Sequence, residues 1–392
     1  MINSKFKFID LFSGIGGFHQ AMKTFGGECV LASDIDANAI KVYKNNYGID
    51  SGINIRNIKN DEIPDHDVLC AGFPCQTFSK AGKQEGFMDQ TRGTLFFEVA
   101  RIISTKHPKY ILLENVRNLV SHDNGHTYGV ICETLRKLGY RIPEKPLILS
   151  PHQFGIPQVR ERVYIPGIYD PENANKPLEI KFDNLLGKKD NTIDTILDPE
   201  ENNPAYKINS HTNDVLKAWD EFYKGIDVDV LGFPVWASYF KVKKIDPTYP
   251  EWKKDFIRKN QQLYLRNKDF IDKWLKKRNN LKDFTPTEMK FEWQCGTSIK
   301  SIWEGVIQIR PSGVRVKKPD IFQALVALVQ TPIVGKYKRK LTIKEAARLQ
   351  SFPDSFIPDD NMQQAYKQFG NSVNVNVVKE VFKKLIEKGG GI

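Results

Sequence analysis

Short apolar runs recur through the first 170 residues and alternate with stretches of a different rhythm. Residues 7–12 (KFIDLF), 29–34 (CVLASD), 67–72 (DVLCAG), 110–115 (YILLEN) and 162–168 (RVYIPGI) read as strands. Residues 38–46 (NAIKVYKNN) and 93–104 (GTLFFEVARIIS) read as helices. In the second of these, Leu95, Phe96, Val99, Ile102 and Ile103 recur at helical spacing. Continuous apolar strands alternating with helices predict an α/β fold with a parallel, doubly wound sheet covered on both faces.

Beyond residue 168 the texture changes. Residues 171–210 are rich in Asn, Asp, Lys and Pro, and residues 240–283 mix Lys and Arg densely with aromatics. The run EWKKDFIRKNQQLYLRNKDFIDKWLKKRNN predicts a helical segment with an apolar-aromatic face and a basic face. The basic face fits either plain solvation or contact with phosphates. From residue 341 the helical pattern returns: residues 341–350 open on Thr342 and Glu345 as a capping box, and residues 373–388 make a last amphipathic helix.

Composition narrows the picture. The 392 residues are 40% hydrophobic and 27% charged, enough for a sizeable core in a soluble protein. No run approaches the ~18 apolar residues of a membrane span. The first residues lack a signal-peptide pattern, so a cytoplasmic location is expected. A net charge of +11 suits an anionic partner, nucleic acid above all. The five cysteines are odd in number and widely spaced, which fits neither a disulfide framework nor a zinc site, and no metal is expected. Cys29, Cys70, Cys132 and Cys295 read as buried free thiols; Cys75 stands apart.

Two ends of the predicted sheet carry chemistry. In FIDLFSGIGGFHQAM (residues 8–22) a strand runs through a turn with Gly14, Gly16 and Gly17 into a helix. Such a turn admits a ligand close to the backbone, and N–H groups there suit a negative group. Asp34 closes the second strand, where a carboxylate can bond ribose hydroxyls. The spacing is Gly-x-Gly-Gly, and a nicotinamide dinucleotide or S-adenosylmethionine would each offer that ribose.

At the other end, Pro74 stops the third strand and Cys75 emerges at the carboxyl edge, where open α/β sheets bind ligands. An ionised thiol there is a soft nucleophile. Glu114 and Asn115 close the next strand, and a carboxyl at that point can bond or protonate a ring nitrogen. QVRERVYI is expected to place Arg160 and Arg162 on one face of one strand, though a structural ion pair with Glu114 is an alternative.

In order along the chain, DLFSGIGG, GFPCQTFS, GTLFFE, ENVRNL, QVRERVYI, LTIKEAARLQSFP and QFGNSV resemble the motifs of the DNA (cytosine-5) methyltransferases. The resemblance spans nearly the whole chain except about residues 175–330, where that family carries its variable target-recognition region. It implies a Rossmann-like S-adenosylmethionine-dependent methyltransferase fold with a smaller target-recognition domain. The expected division is residues 1–175 for catalysis and cofactor, 176–335 for target recognition, and 336–392 returning to the first domain.

The implied activity is methylation of cytosine C5 in duplex DNA, as the modification enzyme of a restriction–modification system. Cys75 would add to C6 of an extruded base. Glu114 would hold N3 and the exocyclic amine, and Arg162, with Arg160 nearby, would face O2. Phe12, Asp34, Asn371, Pro74, Ile55 and Val373 would surround the cofactor with the glycine turn. Ile35 stands where the family often has tryptophan, and Asn54 where it often has aspartate. Ser79, Lys80, Lys83, Arg92 and Thr94 would form or adjoin a loop over the base. Arg310, Arg315, Lys317 and Lys318 are the candidates for groove contact. The enzyme is expected to act as a monomer. A tRNA cytosine-5 methyltransferase and a non-catalytic nucleic-acid-binding module are the competing readings.

Overall fold

The structure is a computed structural model describing residues 5–74, 95–228, 230–325 and 330–392. Two compact units form: Met1–Asn191 with Gln323–Ala327 and Ile343–Ile392, and Thr192–Phe322 with Leu328–Thr342. The contacts thus put the first join near residue 191, and the chain belongs to the first unit again over Gln323–Ala327 and then from Ile343 onward.

In the first unit the strands are β1 (Phe6–Leu11), β2 (Gly27–Ser33), β3 (Val68–Ala71), β4 (Tyr110–Val116), β5 (Tyr140–Arg141), β6 (Leu147–Leu149), the short β7 (Gln158–Val159) and β8 (Arg162–Tyr169). One sheet runs β2-β1-β3-β4-β8-β5, with β6 also on β8. β1, β2, β3 and β4 pair in parallel, as expected from their continuous apolar runs. β8 does not: it runs antiparallel to β4, and β5 and β6 run antiparallel to β8. The wholly parallel expectation is corrected here, because an apolar run carries no sign of strand direction.

The reversal matters for the site. Register pairs Leu11 with Ser33 and with Ala71, and Ala71 with Leu113. The same register pairs Val116, at the end of β4, with Arg162, at the start of β8. Four strand ends and one strand beginning therefore share an edge.

Helices cover the sheet. They are α1 (Gly17–Lys23), α2 (Ala37–Tyr47), α3 (Leu95–Lys106) and α4 (His126–Lys137). Asp36 caps α2 by accepting from the amides of Asn38 and Ala39, and Gly48 ends it at φ 72. The apolar stripe of α3 packs into a core with Leu69, Ile111, Leu113 and Val163.

The second unit holds α5 (Ser210–Gly225), α6 (Glu251–Arg266) and α7 (Lys268–Lys277). Its strands are β9 (Val235–Trp236), β10 (Lys290–Gln294), β11 (Val306–Arg310) and β12 (Gly313–Lys317); β13 (Phe322–Gln323) stands at the join, followed by β14 (Ile333–Val334) and β15 (Arg339–Lys340). The long basic segment is two helices, not one. Asn267 separates them, its side chain bonding Leu263 O and the Asp227 amide. Trp219 is the centre of this core: it stacks on Phe291 at 4.9 Å and donates to Glu288 O at 2.8 Å. The chain then closes the first unit with α8 (Ile343–Leu349), α9 (Met362–Asn371) and α10 (Val375–Lys388). No helix among the described residues is long and apolar enough to cross a membrane.

Candidate active site

The strand edge of the first unit encloses a cavity of about 440 Å³, a size usual for small-molecule sites. β1 leaves the sheet at Phe12, whose φ of 55 starts a tight turn. Ser13 N donates to Ser33 O, and Gly14 N, at φ 52, donates to the Asp34 carboxylate at 2.7 Å. The other Asp34 oxygen accepts from the amides of Ile35 and Asp36. Asp34 thus fixes the glycine turn while facing the cavity. At Gly17 a Cβ would lie 2.6 Å from Ser372 Oγ and 2.7 Å from Val373 Cγ2, so only glycine lets residues 372–373 approach the turn.

The cavity brings together Phe12, Gly14, Gly17, Asp34, Pro74, Glu114, Arg160, Arg162, Asn371 and Val373 from among the residues singled out in the sequence. Gly16, Ile35, Asn54 and Ile55 do not line it. Gly16 caps α1 from beneath, Ile35 is 76% exposed, the Asn54 side chain caps a short helical turn, and Ile55 is core. Cys75, Ser79, Lys80, Lys83, Arg92 and Thr94 lie outside the described residues.

Glu114 and Arg162 form an ion pair, Arg162 Nε to Glu114 Oε1 at 3.2 Å. Burial raises the Glu114 carboxyl above its ordinary pKa, and the two arginines only partly oppose this. Arg160 is not on the strand with Arg162, as the spacing had suggested, but just before it. It is buried, and its guanidinium donates to Ser372 O at 2.9 Å and Leu325 O at 3.4 Å. This arginine clamps backbone, leaving Arg162 as the cation beside Glu114.

The four cysteines among the described residues are poor nucleophiles. Burial pushes Cys29 and Cys295 up to about 12 and raises Cys70 and Cys132 as well. No group of three metal-ligating side chains occurs among the described residues.

Several lining residues escaped the sequence reading, among them Ser13, Asp36, Lys367, Gln368 and Ser372. Asn115 had been placed at the edge without a role. Its amide donates to Phe73 O at 2.7 Å and so holds the turn that leads to Pro74. The neighbouring Glu-Asn pair was the only signal; its partner is remote in sequence.

In the second unit, Arg315 sits between Glu292 and Gln308 in register across three strands. Its Nε meets Glu292 Oε2 at 2.7 Å, and Arg310 donates to Gln308 Oε1 at 2.6 Å. Lys317 pairs with Gln294 and Val306. These cations belong to an organised polar row and are not loose surface charges.

A profile of the family described as C-5 cytosine-specific DNA methylase matches residues 6–387. The chain is 33% identical to the type II methyltransferase M.AluI of Cellulosimicrobium cellulans, covering 98% of this chain and 93% of that protein. It is 34% identical to M.HpaII of Haemophilus parainfluenzae, over 100% and 92%. It is 32% identical to M.HhaI of Haemophilus parahaemolyticus, over 96% and 92%. Among solved structures, a Spodoptera frugiperda DNMT2 mutant shares the fold at TM-score 0.53 with 22% identity, over 97% of this chain and 99% of that one.

Proposed function

The chain belongs to the C-5 cytosine-specific DNA methylase family, and from that premise we propose that Cys75, Glu114 and Arg162 act on a cytosine extruded into the cavity of the first unit. The protein is a DNA (cytosine-5) methyltransferase of the restriction–modification type, and its cofactor is S-adenosylmethionine. The observation that carries the assignment of roles is the Glu114–Arg162 pair, in one cavity with Pro74, the residue before Cys75.

The cavity suits the cofactor. Ser13 Oγ and Gln368 Oε1 line it, are buried, and have no hydrogen-bond partner among the described residues. Gly14 has nothing within 4 Å of where a Cβ would stand. Phe12 offers an apolar ring, and Asp34 and Asp36 offer carboxylates for ribose hydroxyls. Bound there, S-adenosylmethionine supplies a methyl group activated by a sulfonium.

The protein's own groups prepare the base. The Cys75 thiolate bonds to C6 and drives electron density to C5. Glu114, held towards its neutral form by burial, donates to N3 as that nitrogen gains charge. Arg162 faces O2 and offsets the charge that develops there. Once C5 carries the methyl group its proton leaves to water, the C6–S bond breaks to release the thiolate, and the N3 proton returns to Glu114. Because the base must leave the stack, the enzyme pays unpairing energy and recovers it in contacts to the distorted duplex.

A duplex carrying 5-fluorocytosine at the target tests the roles, since fluorine cannot leave as a proton does. A stable protein–DNA adduct is expected, with peptide mapping placing it on Cys75. Attachment to Cys70 or Cys295 would overturn the assignment. In the second unit, Arg315 is proposed to read a base in the groove, with Glu292 holding it in place. Arg315→Ala is then expected to cost about tenfold or more in discrimination between cognate and altered duplexes. Competition methylation assays measure that ratio, and unchanged discrimination would remove Arg315 from the reading face.

A further inference from the structure

Beneath the glycine turn lies a buried polar cluster for which the chemistry above has no use. Tyr47, the last residue of α2, donates its hydroxyl to Gly16 O at 3.0 Å, with Ile15 O and Gln20 Oε1 each at 3.4 Å. Its ring stacks on His19 of α1 at 3.8 Å between centroids and 16° between planes. His19 Nδ1 meets Tyr43 OH at 2.7 Å, and Tyr43 OH reaches Asp10 Oδ2 of β1 at 3.4 Å. Burial raises the Asp10 carboxyl well above its ordinary value and lowers His19 to about 4, so burial favours the uncharged form of both.

The Tyr47 ring also occupies the space a side chain at Gly16 would need, with Cε2 2.3 Å from a Cβ placed there. Gly16, at φ 85, is therefore packed against Tyr47 and bonded to it at once. The turn has its own internal ties, from Gly16 N to Ser13 O and from Gly14 N to Asp34. Those fix the cavity side. Tyr47 supplies the tie from below, joining the turn to α2 at the carbonyls of residues 15 and 16.

We propose that Tyr47 is a positioning residue for the cofactor: its hydroxyl sets the height of the Ile15–Gly16 carbonyls and thereby the shape of the turn that receives the methionine end of S-adenosylmethionine. The proposal rests on the reading that this turn faces the cofactor. A residue that touches neither cofactor nor base should alter binding and leave the chemical step alone.

Tyr47→Phe keeps the stack on His19 and removes only the hydroxyl. Titration calorimetry with S-adenosylhomocysteine is expected to show affinity weakened about two- to tenfold, the worth of one buried hydrogen bond. KM for S-adenosylmethionine should rise by the same factor with kcat unchanged. Gly14→Val, placed in the turn itself, serves as the comparison and should weaken binding more. If Gly14→Val weakens binding and Tyr47→Phe does not, the role of Tyr47 is overturned and the turn stands. If neither does, the turn does not receive the cofactor and both readings fall. A loss confined to kcat in Tyr47→Phe also overturns the proposal.

Discussion

Replacing Cys75 with serine is expected to abolish methyl transfer and leave duplex binding intact. A thiol of ordinary pKa, about 8.5, is ionised in roughly one molecule in ten at one unit below that value. An alcohol in the same place is ionised many orders of magnitude less, and its oxygen is a harder nucleophile for the ring. Among the described residues Cys70, five residues earlier in sequence, offers no substitute: it is fully buried, and burial raises its thiol well above the ordinary value, with Asp10 and Cys29 adding to the effect. The loss should exceed about a thousandfold in single-turnover transfer of labelled methyl groups. Gel-shift affinity for the cognate duplex should change by no more than a few-fold, because the residue swap removes no charge that contacts phosphate. Transfer at near wild-type rate by the serine variant would refute the nucleophile.

How far the chain announces all this depends on how local each feature is. β4 could be read from YILLEN because a strand buried on both faces is apolar without interruption. The antiparallel course of β8 could not, since direction is decided by the connections through β5, β6 and β7, which are two or three residues long and carry little pattern. Arg160 and Arg162 looked equivalent because they are spaced by two. Their fates diverge through partners far away: Ser372 O is 212 residues on from Arg160. Tyr47 fell just past the end of the predicted helix, and its hydroxyl acts on Gly16 through the approach of α2, which it closes, to the turn. The glycines and Asp34 were legible because a strand, a tight turn and a second strand lie close in sequence. Gly16 and Asp34 nonetheless serve the turn's own architecture as much as any ligand.

Glu114→Gln should separate stability from activity. Burial outweighs the pull of Arg162 and Arg160, so the folded carboxyl has a raised pKa. The sign then follows: a group with a raised pKa contributes stability fully below its unfolded value, near 4.3, and loses it as pH rises through the folded one. Near neutral pH, where ionisation of this buried carboxyl is costly, glutamine removes that cost while its carbonyl can still accept from Arg162. The variant should melt no lower than the wild type at pH above the folded Glu114 pKa, its relative gain building up as pH rises from the unfolded value through the folded one. Catalysis should move the other way. Glutamine can hydrogen-bond the ring but cannot pass a proton to N3, and general acid catalysis of this kind contributes about 100- to 10,000-fold. The rate should fall accordingly. The wild-type kcat/KM should also decline as pH rises through the Glu114 pKa, a limb that the variant lacks. Melting curves and pH–rate profiles on the same preparations check both halves. A glutamine variant that methylates within about threefold of wild type would show that no proton passes from Glu114 to the base, and one that melts much lower would show that the Glu114–Arg162 pair is chiefly structural.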